Sequence, residues 1–191
     1  MNDAKKKTPG RPRSAVSHQA ILKAALELLS EVGFEAMSIE AIVTRAGVGK
    51  TTIYRRYSSK AELVADAIEI IREEVLIPDT GNLWSDIDAL IENAAQVTLT
   101  PLGRQSVAMI IGSASSNPGF AQIYWEKYLQ PRRQSFAIVI ERAKARNEIS
   151  KDLDSGLIFD AMSGIMLYAL IFPSTESWTA YVRRALSLLL R

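Results

Sequence analysis

Cysteine is absent from this 191-residue chain and histidine occurs once. The first absence excludes a disulfide framework, a thiolate metal site and a cysteine nucleophile. The second leaves any histidine-based triad or metal site without partners, so His18 reads as a surface residue, and neither a cofactor nor a metal is implied. Long apolar runs are missing as well. The longest stretch of low polarity, residues 161–172, is 12 residues, well short of the ~20 that span a bilayer. No apolar segment or cleavage site follows Lys5, Lys6 and Lys7, so no signal peptide is expected and the cytoplasm fits best. Strand-like alternation is scarce, and no internal repeat is found.

What is present is an uneven distribution of charge. The net charge of +2 combines a basic N-terminal third with a mildly acidic remainder. Residues 1–60 hold 11 Lys or Arg against 5 Asp or Glu, giving +6, and the other 131 hold 12 against 16, giving −4. Such an asymmetry suits a first part that meets a polyanion and a second that does not.

Helical periodicity runs through most of the chain. Residues 1–13 are polar and basic with Pro9, Gly10 and Pro12, a disordered arm that either tracks phosphates or merely solubilises. From Ser17 to Val32 the residues Ile21, Ala24, Ala25, Leu28, Leu29 and Val32 form one stripe, which Gly33 stops. Phe34 and Met37 are expected to plug a small three-helix core. Ser59 and Glu62 form a capping box for a fourth helix through Leu63, Ala67, Ile71 and Val75, ending before Pro78. Further helical patterns cover residues 86–98, 103–115, 118–147, 154–172 and 175–190, with a break or kink expected at Pro131 and a break at Pro173. The reading is all-α, about nine helices, with an arm over 1–13, a small basic domain over 14–60 and a larger helical domain over 61–191.

The stretch 38–60, SIEAIVTRAGVGKTTIYRRYSSK, concentrates the chemistry. Ile39, Ile42, Val43 and Ala46 share one face of a helix capped by Ser38, and Gly47 ends it. In the segment that follows, only Ile53 and Tyr57 need face inward, leaving Lys50, Thr51, Thr52, Tyr54, Arg55 and Arg56 outward. Two helices about a glycine turn, the second basic outside, describe a helix-turn-helix. The GVGKTT within it imitates a phosphate-binding loop, but Thr44 stands where that pattern needs glycine and a helix, not a strand, precedes it. Nucleotide hydrolysis, and an enzyme of any kind, is therefore set aside.

Two further groups invite function. Trp84, Met109, Phe120, Tyr124, Trp125, Met162, Met166 and Trp178 are candidates to line an apolar ligand cavity, although such residues at helical spacing also make ordinary core. The last two helices carry more apolar side chain than one packing face requires. Leu157, Ala161, Gly164, Ile165 and Tyr168 on the first, with Tyr181, Val182, Ala185, Leu186 and Leu189 on the second, fit half of a four-helix bundle completed by a second copy.

The linked segments ILKAALELLSEVGF, MSIEAIVTRAGVGKTTIYRRY and SSKAELVADAI resemble the tetracycline-repressor family over about residues 14–68 without a gap. The stretch around Pro131, Arg132 and Arg133 is similar to one of that family's ligand-domain subtypes. The resemblance implies a homodimeric transcriptional regulator that binds a palindromic double-stranded operator and is released by a small-molecule effector. It also implies DNA contacts: Ser38, Tyr54 and Lys60 on phosphates, Thr44 and Arg45 near backbone or base edge, and Lys50, Thr51, Thr52 and Arg55 toward the major groove. Arg56 stands where the family often has histidine, which keeps a phosphate role but removes a titratable switch. A DNA-binding module without an effector remains the alternative.

Overall fold

The computed structural model describes residues 13–70, 77–172 and 174–190, without the side chains of residues 13 and 14. The proposed arm up to residue 12, the end of the fourth helix with Ile71 and Val75, and the break at Pro173 lie outside the described residues, while Arg13, the last residue expected in the arm, opens the first helix. The chain divides into two compact units, Met1–Ile70 and Ile71–Arg191. Among the described residues every regular element is helical.

In the first unit, α1 (Arg13–Ala36) is interrupted at Gly33, whose φ of 77° and ψ of 171° leave the helical region. The stripe buries Ile21, Ala24, Ala25, Leu28 and Leu29, and adds Leu22, but Val32 is 50% exposed. The backbone turns away at Gly33 and lays Phe34 and Met37 in the core in its place. Helix α2 (Ile39–Ala46) opens on Ser38, whose Oγ accepts the Ala41 N–H at 3.1 Å. It closes at Gly47, left-handed at φ 63°, with the Val48 N–H returning to the Val43 carbonyl at 3.3 Å. Helix α3 (Lys50–Tyr54) is held to the core by Ile53, fully buried, and is followed by the buried Tyr57. Helix α4 (Lys60–Glu69) packs on α1. Its cap is Ser59, but Glu62 reaches back to the N–H and hydroxyl of Ser58, at 2.9 and 2.8 Å, one residue beyond the usual partner in a capping box.

The second unit contains α5 (Leu83–Thr98), α6 (Pro101–Ser116), α7 (Pro118–Tyr124), α8 (Gln130–Ala145), α9 (Ser155–Ile171) and α10 (Trp178–Leu189). Its core is built from α5, α8, α9 and α10 around Ile87, Ile91, Phe136, Ile140, Val182 and Leu186. The break or kink expected at Pro131 is corrected in form: α7 runs into α8 through a π turn, Trp125–Leu129. Proline lacks an N–H and its ring collides with the carbonyl four residues back, and the wider π turn just before it takes up that loss without ending the helix. Counting α7 to α8 as one rod, the described residues form nine helices. Residues 86, 146 and 148 tie α8 to α5: buried Asp86 accepts from Thr80 N and Oγ1, both at 2.7 Å, Glu148 accepts the Leu83 N–H at 2.6 Å, and Arg146 pairs with Glu148.

Candidate functional site

Helices α2 and α3 present one exposed polar surface. Ser38, Thr44, Arg45, Lys50, Thr51, Tyr54 and Arg55 are exposed, and Thr52 is half-buried. Short-range order explains much of it. Burial of Ile53 and Tyr57, four residues apart, turns Lys50, Thr51, Tyr54 and Arg55 away from the core. Several groups already have partners. The Ser38 hydroxyl serves as the α2 cap, and the Thr44 hydroxyl donates to the Glu40 carbonyl at 2.9 Å.

Two of the expected outward cations are placed differently. Arg56 is half-buried and faces the Tyr57 neighbourhood, where its charge acts on the phenol. Lys60 was expected on phosphate; its ammonium donates to the carbonyls of Phe34 and Met37, at 2.7 and 3.0 Å, and sits 4.5 Å from the Phe34 ring centroid. These carbonyls lie beyond the Gly33 break, between it and the start of α2. Lys60 therefore braces the entrance to α2 from the first turn of α4.

The acidic partners of the surface escaped sequence reasoning. Lys50 Nζ lies 2.5 Å from Glu40 Oε1, and Arg45 Nη1 lies 2.6 Å from Glu31 Oε1. The hydrogen bonds from Lys50 and Arg45 hold the Glu40 and Glu31 carboxyls below their ordinary range, and raise the two cations. The separations in sequence, 10 and 14 residues, exceed the three or four at which side chains of one helix meet, so only the folded arrangement of α1, α2 and α3 brings the pairs together. DNA must displace Glu40 to take Lys50. Glu40→Gln removes a carboxylate from the face that meets DNA and frees the Lys50 ammonium, and is expected to raise affinity for DNA. Binding titrations at low and high salt test this; an unchanged affinity at both would mean that Lys50 stays out of the DNA interface.

His18 is not the lone surface residue expected. Its Nε2 and the Tyr57 hydroxyl share a 2.7 Å hydrogen bond, which fastens α1 to the segment after α3. Burial, assisted by the Asp66 carboxylate, pushes the Tyr57 phenol up to about 12. A phenol raised in the folded state stabilises fully below its unfolded value of about 10, and that contribution is lost as pH climbs toward the folded value. Tyr57→Phe should remove this alkaline loss. Urea midpoints of the two proteins between neutral and strongly alkaline pH should converge as pH rises, and parallel curves would refute the assignment.

A cavity of about 240 Å³ lies within the second unit, among α5, α6, α8, α9 and α10. Of the eight candidate lining residues, Met162, Met166 and Trp178 reach it. Trp84, Met109, Phe120, Tyr124 and Trp125 do not. Trp84 carries the Arg183 guanidinium 3.6 Å above its ring, Phe120 and Tyr124, the buried residues of α7, stack on each other, and Trp125 is 39% exposed. The cavity instead takes Phe136, Phe159 and Arg132, among others. Aromatic identity alone gives no means of choosing among them, because every helix of the unit except α6 carries such residues.

An apolar surface runs along α9 and α10. Leu157, Tyr168, Ile171 and Phe172 are 65, 55, 57 and 52% exposed, and Gly164 opens onto free space. Ala161, Ile165, Tyr181 and Ala185 are half-buried beside them, and Leu188 and Leu189 are exposed. Val182 and Leu186, expected on this surface, are corrected: both are fully buried in the chain's own core. On α10 they lie four residues apart and face inward, whereas positions 181, 185, 188 and 189 follow the other side.

Comparison with known proteins agrees with this architecture. The chain matches the family model described as bacterial regulatory proteins, tetR family, over residues 21–67, and the one described as tetracyclin repressor-like, C-terminal domain, over residues 77–189. It is 33% identical to the HTH-type transcriptional regulator YdeS of Bacillus subtilis, over 91% of this chain and 88% of that protein. It is 29% identical to the DNA-binding transcriptional repressor TetR of Mycobacteroides abscessus, over 84% of this chain and 83% of that one. The crystal structure of the TetR family transcription regulator SCO0332 superposes with a TM-score of 0.67 at 27% identity, covering 91% of this chain and 96% of that chain.

Proposed function

The chain belongs to the tetR family of bacterial regulatory proteins and is a DNA-binding transcriptional regulator; from that premise we propose that it is a cytoplasmic repressor, released from a two-fold symmetric operator by a small, largely apolar ligand. Regulators of this family act as homodimers. Lys50, Thr51, Thr52 and Arg55 are assigned to the major groove, and Ser38, Thr44, Arg45, Tyr54 and Arg56 to the backbone and its margins. Lys60 orders the loop before α2 and offers phosphate whatever its carbonyl partners leave. The residues ahead of α1 are assigned to a basic arm, the first unit, which runs to Ile70 and includes α4, to reading DNA, and the second unit to the ligand and to dimerisation; the boundary expected after residue 60 thus moves to the end of α4, because α4 packs on α1.

The observation that carries the ligand reading is the cavity, which belongs to the unit without the basic surface. Ile77, seven residues beyond the last residue of the first unit, is among its lining. Two recognition helices of a dimer must sit ~34–36 Å apart to enter successive major grooves. A ligand that binds better to a dimer of different spacing releases DNA, and full reversal of occupancy requires a preference of ~5.5 kcal/mol between the two states.

Selection of bound sequences from a random DNA pool tests the reading. The expected site has two inverted half-sites with centres ~10 base pairs apart or a multiple of that. Arg55→Ala should flatten one position of each half-site by about 1–3 kcal/mol. An asymmetric or featureless pool would overturn the operator assignment. A regulator that no compound displaces from the selected site would be one that works without an effector.

A further inference from the structure

Three side chains of the cavity lining carry hydrogen-bonding groups that the chain itself does not use. Asn93 and Thr98 on α5 and Ser135 on α8 line the cavity and are half-buried, and their side chains form no hydrogen bond with the described residues. Other polar groups of the lining are engaged by the protein. The Ser163 hydroxyl donates to the Phe159 carbonyl at 2.9 Å, Trp178 Nε1 donates to the Met166 carbonyl at 3.1 Å, and Arg132 is held by its own chain, with Nη1 donating to the Tyr128 carbonyl at 3.3 Å. The unused set is uncharged: a carboxamide with two N–H donors and an acceptor oxygen, and two hydroxyls that both donate and accept.

Helical spacing places the carboxamide among apolar side chains. Leu90 and Val97, three residues before Asn93 and four after, line the cavity too, so Asn93 shares their side of α5. Ser135 stands in the same relation to Val139 on α8. In such surroundings an amide without a partner costs stability, and asparagine is a weaker helix former than leucine or alanine. Position 93 lies inside α5, where a leucine would serve both packing and helix better. The fold gains nothing from Asn93, and a ligand with a matching polar group would.

Resting on the reading of this cavity as the effector site, we propose that its ligand is a small uncharged molecule, a hydrocarbon body bearing a hydroxyl or carbonyl group that is hydrogen-bonded to the Asn93 carboxamide. Among the described residues no carboxylate lines the cavity, so a cationic ligand would be buried without a counter-charge. An anion would have to compete with the interactions that already hold Arg132. A pure hydrocarbon would cover Asn93 and leave its amide unpaired. The volume, about 240 Å³, falls below the ~300–1,000 Å³ of sites for drug-sized molecules, which points to a monocyclic or short-chain compound over a polycyclic one.

Calorimetric titration of the full chain with two pairs of like shape, 4-ethylphenol against 4-ethyltoluene and acetophenone against isopropylbenzene, tests this at neutral pH. The charged analogues 4-ethylbenzoate and 4-ethylbenzylammonium are titrated beside them. At least one polar member should bind about tenfold or more tightly than its hydrocarbon match, because a site that keeps an amide for its ligand rejects the analogue that cannot pair with it. Asn93→Leu should remove that preference and leave the melting temperature of the ligand-free protein unchanged or higher. Equal binding of polar and hydrocarbon members, tightest binding by a charged analogue, or no binding of 4-ethylphenol and acetophenone at millimolar concentration would each overturn the proposal. So would a preference that survives Asn93→Leu, or a marked fall in melting temperature on that substitution, which would show that Asn93 serves the fold. The same compounds are added to the complex with the selected DNA. A polar member that binds through Asn93 without releasing DNA upholds the hydrogen-bonding site and refutes the release mechanism. Release by the charged analogues alone refutes this site and leaves the release mechanism intact.

Discussion

Replacing Leu157 and Tyr168 together by aspartate should yield a folded monomer whose operator affinity falls by a factor of about 10²–10⁴, the loss expected when two linked binding events become independent. Leu157 and Tyr168 are 65 and 55% exposed in the single chain, so their removal leaves little of the chain's own packing undone. In a two-fold dimer each patch meets its own copy, and a new carboxylate is brought toward another like it. Tyr168 also lies 4.9 Å from the Phe172 ring and 6.4 Å from the Tyr181 ring, so the substitution removes the middle of the exposed aromatic patch on this surface. Sedimentation velocity and DNA titration on the same preparation give the result. A variant that stays dimeric with nearly native affinity would remove this surface from the interface. The contrast is Val182→Asp, which puts a charge into a fully buried position and should unfold the second unit.

Ile53→Ala is expected to abolish sequence-specific binding by unfolding the reader while the second unit keeps its fold. Ile53 is fully buried and is the sole buried residue of the five-residue helix α3. Truncation of a buried isoleucine to alanine costs ~2–5 kcal/mol. A unit of about 60 residues has ~3–9 kcal/mol in all, at roughly 0.05–0.15 kcal/mol per residue. The substitution therefore consumes much or all of what holds the first unit together. Urea unfolding followed by circular dichroism should separate into two steps, with an early one that the native protein lacks. A single transition at the native midpoint, with DNA binding intact, would show that α3 does not depend on this anchor.

Most of the helical framework was legible before the structure, because its signals are short-range. Ser38, Ser59 and Gly47 act on N–H and carbonyl groups within five residues, and the apolar stripes of α1 and α2 repeat at helical spacing. The exposed part of α3 followed from where Ile53 and Tyr57 had to go. The cavity was much less legible. Helix α9 is apolar around most of its circumference, and such a helix does not say which side meets a cavity, which a core and which a partner. Phe120 and Trp125 were therefore indistinguishable by sequence from Phe136 and Trp178, although only the latter two line the cavity.

By itself, the sequence determined that the chain is helical, that a basic reader precedes an apolar helical unit, and where glycine and capping residues bound the reading helices. These follow from backbone geometry and charge, which depend on near neighbours in the chain. Only the tertiary structure decided that Glu40 holds Lys50 and Glu31 holds Arg45, that Lys60 closes on the Phe34 and Met37 carbonyls, and that Arg132 rather than Arg133 lines the cavity. It also divided α10 into an inner side, Val182 and Leu186, and an outer side. An ion pair or a cavity wall depends on how far apart two helices lie and how each is rotated, and packing of the whole unit sets both.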